Sequence, residues 1–297
     1  PTARMATTLT QEPALSPEVQ AAVDRFVGLI LSDLRNKRLV LPTLPAVAVQ
    51  VREAVKDEGS STSRIARIVS TDTALSARLV QLANSAFYRR MAATDSLPSA
   101  ITRLGDQVVR TLVTSLLMRP QFETRIPELR SRVEALWLHS AEVAALSAAL
   151  ARRVHTLSVD EAMLAGLVHD IGAMPLLARA EEFPVLLGHP PALEPVIEML
   201  HGAIGKLILE TWQFPPAIAE VAAEHEDLGR YSSEVDYVDI VTVANLHSYL
   251  GKRHRLAQVA WSDVPAFGKL GLSPDQSLAL FEETRAEIAE LKMILQG

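Results

Sequence analysis

The chain has 297 residues, of which 48% are hydrophobic and only 5% aromatic, and its formal net charge is −6. This length allows one large domain or two modest ones, and the negative charge argues against non-specific binding to nucleic acids or anionic membranes. Because there is no cysteine and no apolar run near the ~20 residues that span a bilayer, we predict a cytoplasmic protein without disulfides or a thiolate zinc site.

The hydrophobic composition favours helices. Ala, Leu and Val dominate it, as is typical of helix-on-helix packing rather than of a sheet. Residues 1–15 lack periodicity and are predicted to form a disordered tail. From Pro17 to Leu34 apolar residues recur at helical spacing, and Ser16 is placed to cap that helix. We therefore predict an all-α helical bundle.

A run of short helices is predicted to complete an N-terminal helical subdomain over residues 16–125. The two prolines of Leu41–Pro45 break the chain into an extended turn before it. We expect the side chain of Asn84 to cap a helix end or to act as a buried tether. The predicted helices are one carrying Val47, Val51 and Val55, one capped by Ser63, one capped by Thr73 and stopping at Asn84, one from Ser99 to Leu104, and one from Val108 to Leu117.

An adjacent imidazole and carboxylate, His169 and Asp170, lie in the apolar segment Gly166–Gly172, which we interpret as the interior of a helix. Burying two ionisable groups without partners costs several kcal/mol, so other groups must satisfy them. Either the pair binds a metal, or it preserves the outline of a site that once did.

Three further histidines fall on apolar stripes of separate helices. They are His139, His201 and His225, each three, four or seven residues from aliphatic neighbours. Converging with His169 and Asp170, they would offer nitrogen and oxygen donors suited to Zn, Mn, Fe or Ni. In the alternative interpretation, each is a core histidine bonded to a carbonyl or carboxylate. The spacing leaves both open.

An ordered series of motifs resembles the HDOD family, bacterial signalling modules related to the HD-domain metal-dependent phosphohydrolases. The similarity extends from about Leu41 to about Gly251. It implies a helical N-terminal part packed on a degenerate HD-type helical core, placed at residues 126–251, without catalysis in most members. The motifs are Leu41–Pro45, Thr71–Ser76, Leu82–Tyr88, Ala100–Gly105, Leu136–Ser140 and Ala165–Gly172.

The resemblance also implies a set of metal ligands. His139, His169 and Asp170 match the first three ligands of HD phosphohydrolases, and His201 and His225 match histidines that a cyclic-dinucleotide phosphodiesterase branch uses for a second ion. That branch has a second histidine where this chain has Glu226, and its Gly-Tyr-Pro signature is absent. The implied cofactor is a divalent metal (Mn, Fe, Zn, Ni or Mg) at a degenerate site, or none.

The final aspartate of the HD pattern is replaced by Asn245. A neutral oxygen donor in place of an anionic one weakens the charge balance of a dication site. Glu226, Asp236 or Asp239 are the candidates to compensate, and the sequence does not place them.

The C-terminal stretch, residues 252–297, is predicted as a loop over Ser262–Gly271 and one amphipathic helix from Ser273–Pro274. We expect that helix to dock on the bundle, with dimerisation or partner recognition as the alternative.

Two functions follow from these observations. The first is a non-catalytic bacterial signal-transduction module acting through protein partners or a small ligand such as a nucleotide, with no direct contact to nucleic acid or membrane, and with a homodimer as one form. The second is a metal-dependent phosphohydrolase acting on a nucleotide or cyclic dinucleotide, with Asp170 at its catalytic centre. Because Asn245 breaks the metal shell, the sequence favours the first.

Overall fold

The computed structural model describes residues 15–56, 62–89 and 93–296, and within these ranges it contains helices and no strand, which confirms the all-α prediction. All but the last residue of the predicted tail lies outside them. The α-helices are α1 (Pro17–Arg35), α2 (Ala46–Lys56), α3 (Thr62–Val69), α4 (Thr73–Asn84), α5 (Leu97–Leu104), α6 (Asp106–Leu116), α7 (Arg130–Ala151), α8 (Val159–Val168), α9 (Ala173–Arg179), α10 (Pro184–Leu187), α11 (Glu194–Thr211), α12 (Pro216–Glu224), α13 (Tyr237–Ser248), α14 (Pro265–Lys269), α15 (Pro274–Glu283) and α16 (Arg285–Gln296).

The first helix starts where the sequence predicts, and the next caps differ. The hydroxyl of Ser16 accepts the amide N–H of Val19 at 3.3 Å. In α4 the cap is Asp72, whose carboxylate accepts the amide of Leu75 at 2.9 Å, so the prediction of Thr73 was wrong by one residue. Ser63 lies inside α3 and does not cap it. The carboxylate of Asp72 offers a charge-assisted acceptor to the first turn, which a threonine hydroxyl does not.

The segment around Asn84 is fixed by side-chain bonds. Asn84 donates to the carbonyl oxygen of Thr94 at 2.7 Å and accepts its amide at 2.9 Å, which confirms the tether. The following helix α5 is capped by Ser96 and starts at Leu97, two residues earlier than predicted. It ends at Gly105, whose φ of 82° is a conformation that side chains disfavour.

The core is built from α7, α8, α11, α12 and α13, and glycine lets these helices approach closely. A Cβ on Gly166 of α8 would lie 2.9 Å from the backbone of α7 at Val143 and Ala144. One on Gly202 of α11 would lie 3.0 Å from the carbonyl oxygen of Ala222 in α12. The N-terminal helices join this core through α6, which packs on α8, and α16 covers α7.

The C-terminal segment departs from its prediction in two respects. The expected loop contains the short helix α14, and the single expected helix is divided at Thr284 into α15 and α16. The docking prediction is confirmed, because Leu291 and Leu295 are fully buried. The guanidinium of Arg78 donates to the last carbonyls of α16, at 2.8 Å from those of Ile294 and Leu295.

Two helical stretches, Pro127–Ala151 and Val159–Glu182, are long and apolar enough to cross a membrane by length and composition alone. Their most apolar windows are 67% and 83% buried inside the bundle. Core helices of a globular protein have the same property, so this is weak evidence for a membrane span.

Candidate metal centre

His169 and Asp170 occupy a turn, which corrects the expectation that they lie inside a helix. Helix α8 ends at Val168, and the pair begins the four-residue connection to α9. Gly172 closes this connection against α11, where a Cβ would collide with the carbonyl oxygen of His201. The glycine therefore lets the turn come close enough to α11 to place Asp170 beside that histidine.

The carboxylate of Asp170 is surrounded by four imidazoles, which we call the histidine cage. Its Oδ2 lies 3.5 Å from Nε2 of His139 and 3.3 Å from Nε2 of His169. Its Oδ1 lies 3.5 Å from Nε2 of His201 and 3.3 Å from Nε2 of His225. The helices bring all four predicted histidines to one point, from α7, from α11 and from the ends of α8 and α12.

The cage divides into two three-ligand groups that share Asp170. The two nitrogens of the first group, from His139 and His169, are 3.2 Å apart, and those of the second, from His201 and His225, are 3.4 Å apart. A tetrahedral ion about 2.0–2.1 Å from its ligands requires ligand atoms about 3.3–3.4 Å apart. Each group therefore has the dimensions of a metal site with one position left for another ligand.

Hydrogen bonds of the outward-facing Nδ1 atoms hold three of the four rings so that Nε2 faces inward. Nδ1 of His169 lies 2.7 Å from the carbonyl oxygen of Gly166, that of His201 lies 2.8 Å from Ile197, and that of His225 lies 3.0 Å from Val221. A carbonyl only accepts, so each Nδ1 carries a proton, and in a neutral ring the Nε2 atom that faces Asp170 then presents a lone pair. Lone pairs facing each other and a carboxylate repel unless a cation lies among them.

The electrostatics keep Asp170 ionised beside a neutral His139. Burial, reinforced by the neighbouring His169, lowers the pKa of His139 to about 3, so this ring is uncharged at neutral pH. Burial alone would raise the pKa of Asp170, but Coulombic attraction and hydrogen bonds from the surrounding imidazoles hold it well below its usual range. A neutral imidazole and an ionised carboxylate are the protonation states in which His139 and Asp170 could bind a metal.

Asn245 lies on the face of α13 that borders the cage. Ser248 and Tyr249 follow Asn245 by three and four residues and lie on the same face. Ser248 Oγ is 3.4 Å from Nδ1 of His139, and Tyr249 Oη is 3.5 Å from Nε2 of the same ring. The side-chain carbonyl oxygen of Asn245 is buried and has no hydrogen-bond partner within the described ranges. An orphaned acceptor beside the cage fits a ligand to a cation. That all six predicted residues bind a metal stays a prediction.

Of the three carboxylates considered as substitutes for the missing aspartate, one borders the site. Glu226 lines the cavity next to the cage, where it pairs with Arg255 at 2.6 Å. Asp236 and Asp239 form the capping box of α13 and pair with Arg230 and Lys269. Their negative charges are therefore balanced by these two cations at the start of that helix.

A cavity of about 350 Å³ reaches His139, Asp170 and His201. Its aliphatic wall includes Leu136 and Ile197, and its edge carries Arg132 and Lys252. Lys252 belongs to a basic cluster in the sequence, Lys252 to Arg255, for which a solvated face was the expectation and a phosphate contact the alternative. Arg132 was missed, and its signal in the sequence was weak: it precedes His139 by seven residues on the same helical face. Three glutamates also line the cavity, Glu194, Glu198 and Glu226, each paired with an arginine.

Fold and site together define an all-α protein of the HD type, with a histidine–aspartate cage next to a cavity. The HDOD domain matches residues 41–228, which is more than half of the chain. The chain belongs to the HDOD family.

Solved structures share the fold. A protein of Shewanella amazonensis SB2B, whose name proposes a metal-dependent phosphohydrolase, is 30% identical over 93% of this chain and 99% of its own, with a TM-score of 0.81. An HDOD domain protein of unknown function from Geobacter sulfurreducens is 20% identical over 93% and 98%, with a TM-score of 0.63. A protein of Marinobacter aquaeolei VT8, whose name proposes signal transduction, is 20% identical over 94% and 65%, with a TM-score of 0.60.

Among curated proteins, an uncharacterised protein of Treponema pallidum is 20% identical over 240 residues. The match covers 77% of this chain and 45% of that protein.

Proposed function

We propose that the chain binds one or two divalent metal ions in the histidine cage and hydrolyses a phosphate ester in the adjoining cavity. The observation that carries this proposal is the inward direction of four imidazole Nε2 atoms toward Asp170, which in neutral rings with Nδ1 protonated are lone pairs. Such an arrangement costs free energy without a cation and releases it with one. This proposal reverses the preference from the sequence alone, which favours a non-catalytic signalling module.

The residues of the chain have separate tasks in this proposal. Asp170 presents one oxygen to each pair of histidines and so can hold two ions together. The backbone carbonyls that accept the Nδ1 protons keep the rings in position and raise their basicity. A bound divalent metal supplies Lewis acidity and lowers the pKa of a water ligand.

The cavity supplies the charges that would orient a phosphate ester. Arg132 and Lys252 border the cavity; Arg132 lies on α7, and Lys252 lies in the segment after α13. In this structure they pair with Glu194 and Glu142. A phosphate group would compete with these glutamates, since guanidinium and ammonium groups bind both anions.

A second candidate is a regulatory module that binds metal or a nucleotide without turnover and acts on a signalling partner in the cytoplasm, as a monomer or homodimer. Asn245 favours it, because the neutral amide leaves the cage with one anionic ligand fewer than the HD pattern. Both candidates allow a bound metal, and they differ in hydrolysis.

The test is metal analysis of the purified protein after incubation with Mn, Fe, Zn, Ni and Mg, followed by hydrolysis assays on phosphate mono- and diesters. Asp170→Asn should lose both bound metal and turnover, whereas the exposed Asp263→Asn should keep both. Metal without turnover on any ester would favour the regulatory candidate. A wild-type chain that retains no metal would refute the proposed hydrolase and would leave the regulatory candidate only its nucleotide.

A further inference from the structure

Two arginines from different helices, Arg52 of α2 and Arg110 of α6, line one small cavity at the start of α12. We propose that this arginine pair is a binding site for a phosphate group, separate from the histidine cage. The ligand class is a phosphate dianion, free or carried by a larger molecule.

Neither guanidinium has a carboxylate partner within the described ranges. Arg52 donates to the carbonyl oxygens of Trp212 and Gln213 at 2.7 and 2.6 Å and lies 4.9 Å from the centre of the Phe214 ring. For the guanidinium of Arg110 no hydrogen bond or ion pair is found among the same residues. Two of the five N–H donors of Arg52 are therefore engaged, and the charges of both arginines stay uncompensated.

The two positive charges disfavour each other. Burial and the nearby Arg110 both lower the pKa of Arg52. Among the other partly buried arginines, Arg152 pairs with Glu287 and Arg230 with Asp236. Arg78, like Arg52, donates to backbone carbonyls. An anion between Arg52 and Arg110 would convert their repulsion into two attractions.

The start of α12 adds a third positive contribution. Pro215 and Ile218 line the same cavity, and no side chain caps this nine-residue helix. The N-terminal end of a helix carries a partial positive charge that favours anions. Three elements, α2, α6 and α12, therefore present positive potential to one place.

The cavity also contains one acid, Glu161. Its carboxylate accepts the phenol proton of Tyr237 at 2.7 Å, so part of its charge is engaged away from the arginine pair. The cavity is small, about 30 Å³, and excludes a whole cofactor, so a phosphate group would bind at its opening. A second cavity of about 410 Å³ shares the Arg52 wall and is lined by Leu41 and Trp212, where the rest of a larger ligand would fit.

The position gives the site a route to the cage. The turn that Arg52 holds joins α11, which carries His201, to α12, which ends at His225. Its residue Gln213 has a φ of 57°, which a non-glycine residue rarely adopts. A ligand that competes for Arg52 would act on the connection between two helices of the metal site.

The experiment is calorimetric titration of the full chain with inorganic phosphate and, in a parallel arm, with a 5′-mononucleotide. A chelator is present, so that metal-bound phosphate does not contribute and the result is independent of the proposed hydrolysis. We expect saturable binding that Arg110→Gln weakens about tenfold or more, the value of one charged hydrogen bond. The matched control Arg67→Gln removes an exposed arginine of α3 and should bind like the wild type.

The stability of the same variants gives an independent readout. Without phosphate, Arg110→Gln should unfold at the same or a higher temperature than the wild type, because the repulsion from Arg52 is removed. With phosphate, the order should reverse. Binding by the mononucleotide alone would assign the phosphate to a larger ligand, provided that Arg110→Gln abolishes it. Equal binding by Arg110→Gln and the wild type, or no saturable binding of either probe, would overturn the proposal.

Discussion

Two buried histidine environments in this protein look alike in sequence and differ in chemistry. His225 ends α12 and His247 lies in α13, and both have at most 9% of their surface exposed. The inward nitrogen of His225 faces Asp170 and another imidazole. Nε2 of His247 instead bonds the hydroxyl of Ser277 at 2.8 Å, and its ring packs against Trp261 and Phe281.

The comparison separates burial from function. Helical spacing places either ring inside the bundle, but only the polarity that the inward nitrogen meets distinguishes a metal ligand from a packed core residue. At His247 the hydroxyl and the aromatic rings satisfy the neutral ring. In the histidine cage the inward nitrogens meet a carboxylate and one another, as the proposed metal site requires.

The sharpest way to break this comparison is to remove one ring from each environment. His225→Gln should weaken divalent metal binding about 100-fold or more, because a direct ligand is lost and outer partners alone contribute 10–100-fold. His247→Gln should leave metal affinity unchanged. Competition of each protein with a fluorescent chelator measures both values. Equal metal affinities for the two variants would contradict the assignment of the cage.

Acid stability should distinguish the second environment. Burial lowers the pKa of His247 to about 4, so the unfolded state binds the proton more tightly than the folded state. The stability that the neutral ring contributes is complete above about pH 6.5 and is lost as the pH falls toward 4, by at most about 3 kcal/mol. Chemical unfolding between pH 7 and 4 measures it.

The control for this pH dependence is His247→Gln, which retains a donor for Ser277 and does not titrate. Its stability curve should be flatter than that of the wild type over the same range. Parallel curves would mean that His247 is not the group responsible.

A backbone change should affect the cage and leave His247 alone. A methyl group on Gly172 collides with the carbonyl of His201, so Gly172→Ala should destabilise the fold by about 1–3 kcal/mol, as overpacking does, and should reduce bound metal. In Gly188→Ala, the matched control, the new Cβ meets only backbone oxygens at 3.6 and 3.7 Å. Unfolding curves and metal content should be normal for the control. A normal result for Gly172→Ala would show that the turn does not depend on this close approach.

The smallest effect is expected from an outer partner of the cage. Ser248 Oγ donates to the carbonyl of Asn245 at 2.7 Å and therefore accepts from Nδ1 of His139. Ser248→Ala should reduce metal affinity by tenfold or less without preventing folding. Ser277→Ala, which removes the partner of His247, should lower stability and leave metal affinity intact. The opposite pattern would reverse the roles of the two environments.

Much of the fold was predictable from local patterns. The first helix and its Ser16 cap, the tether at Asn84 and the docking of the C-terminal segment follow from spacing and side-chain chemistry that act over a few residues. The errors are local too: Asp72 replaced Thr73 as a cap, and Thr284 divided one predicted helix into two. Neighbouring residues compete for such positions with small differences in free energy.

The candidate site, like the fold, was predictable in part from the sequence. Inward faces for His139, His201 and His225 could be read from apolar spacing, and the motif series pointed to Asp170 and Asn245. The turn that contains His169 could not be predicted from spacing, because the apolar run of α8 continues through it. Only the close contact of Gly172 with α11 requires the helix to end there. The loss of charge at Asn245 suggested a vestigial site, while the orientation of the four imidazoles favours an intact one.

The sequence by itself determined the all-α class, the family, and which side chains point inward, because each depends on residue order and helical period. Only the tertiary structure decided that four imidazoles surround one carboxylate, that their Nε2 atoms face inward, and that Arg52 and Arg110 lie together. These relations join residues distant along the chain, and the direction of a proton on an imidazole depends on the backbone carbonyl it meets. Periodicity encodes the face of a helix, and the packing of several helices decides what that face meets.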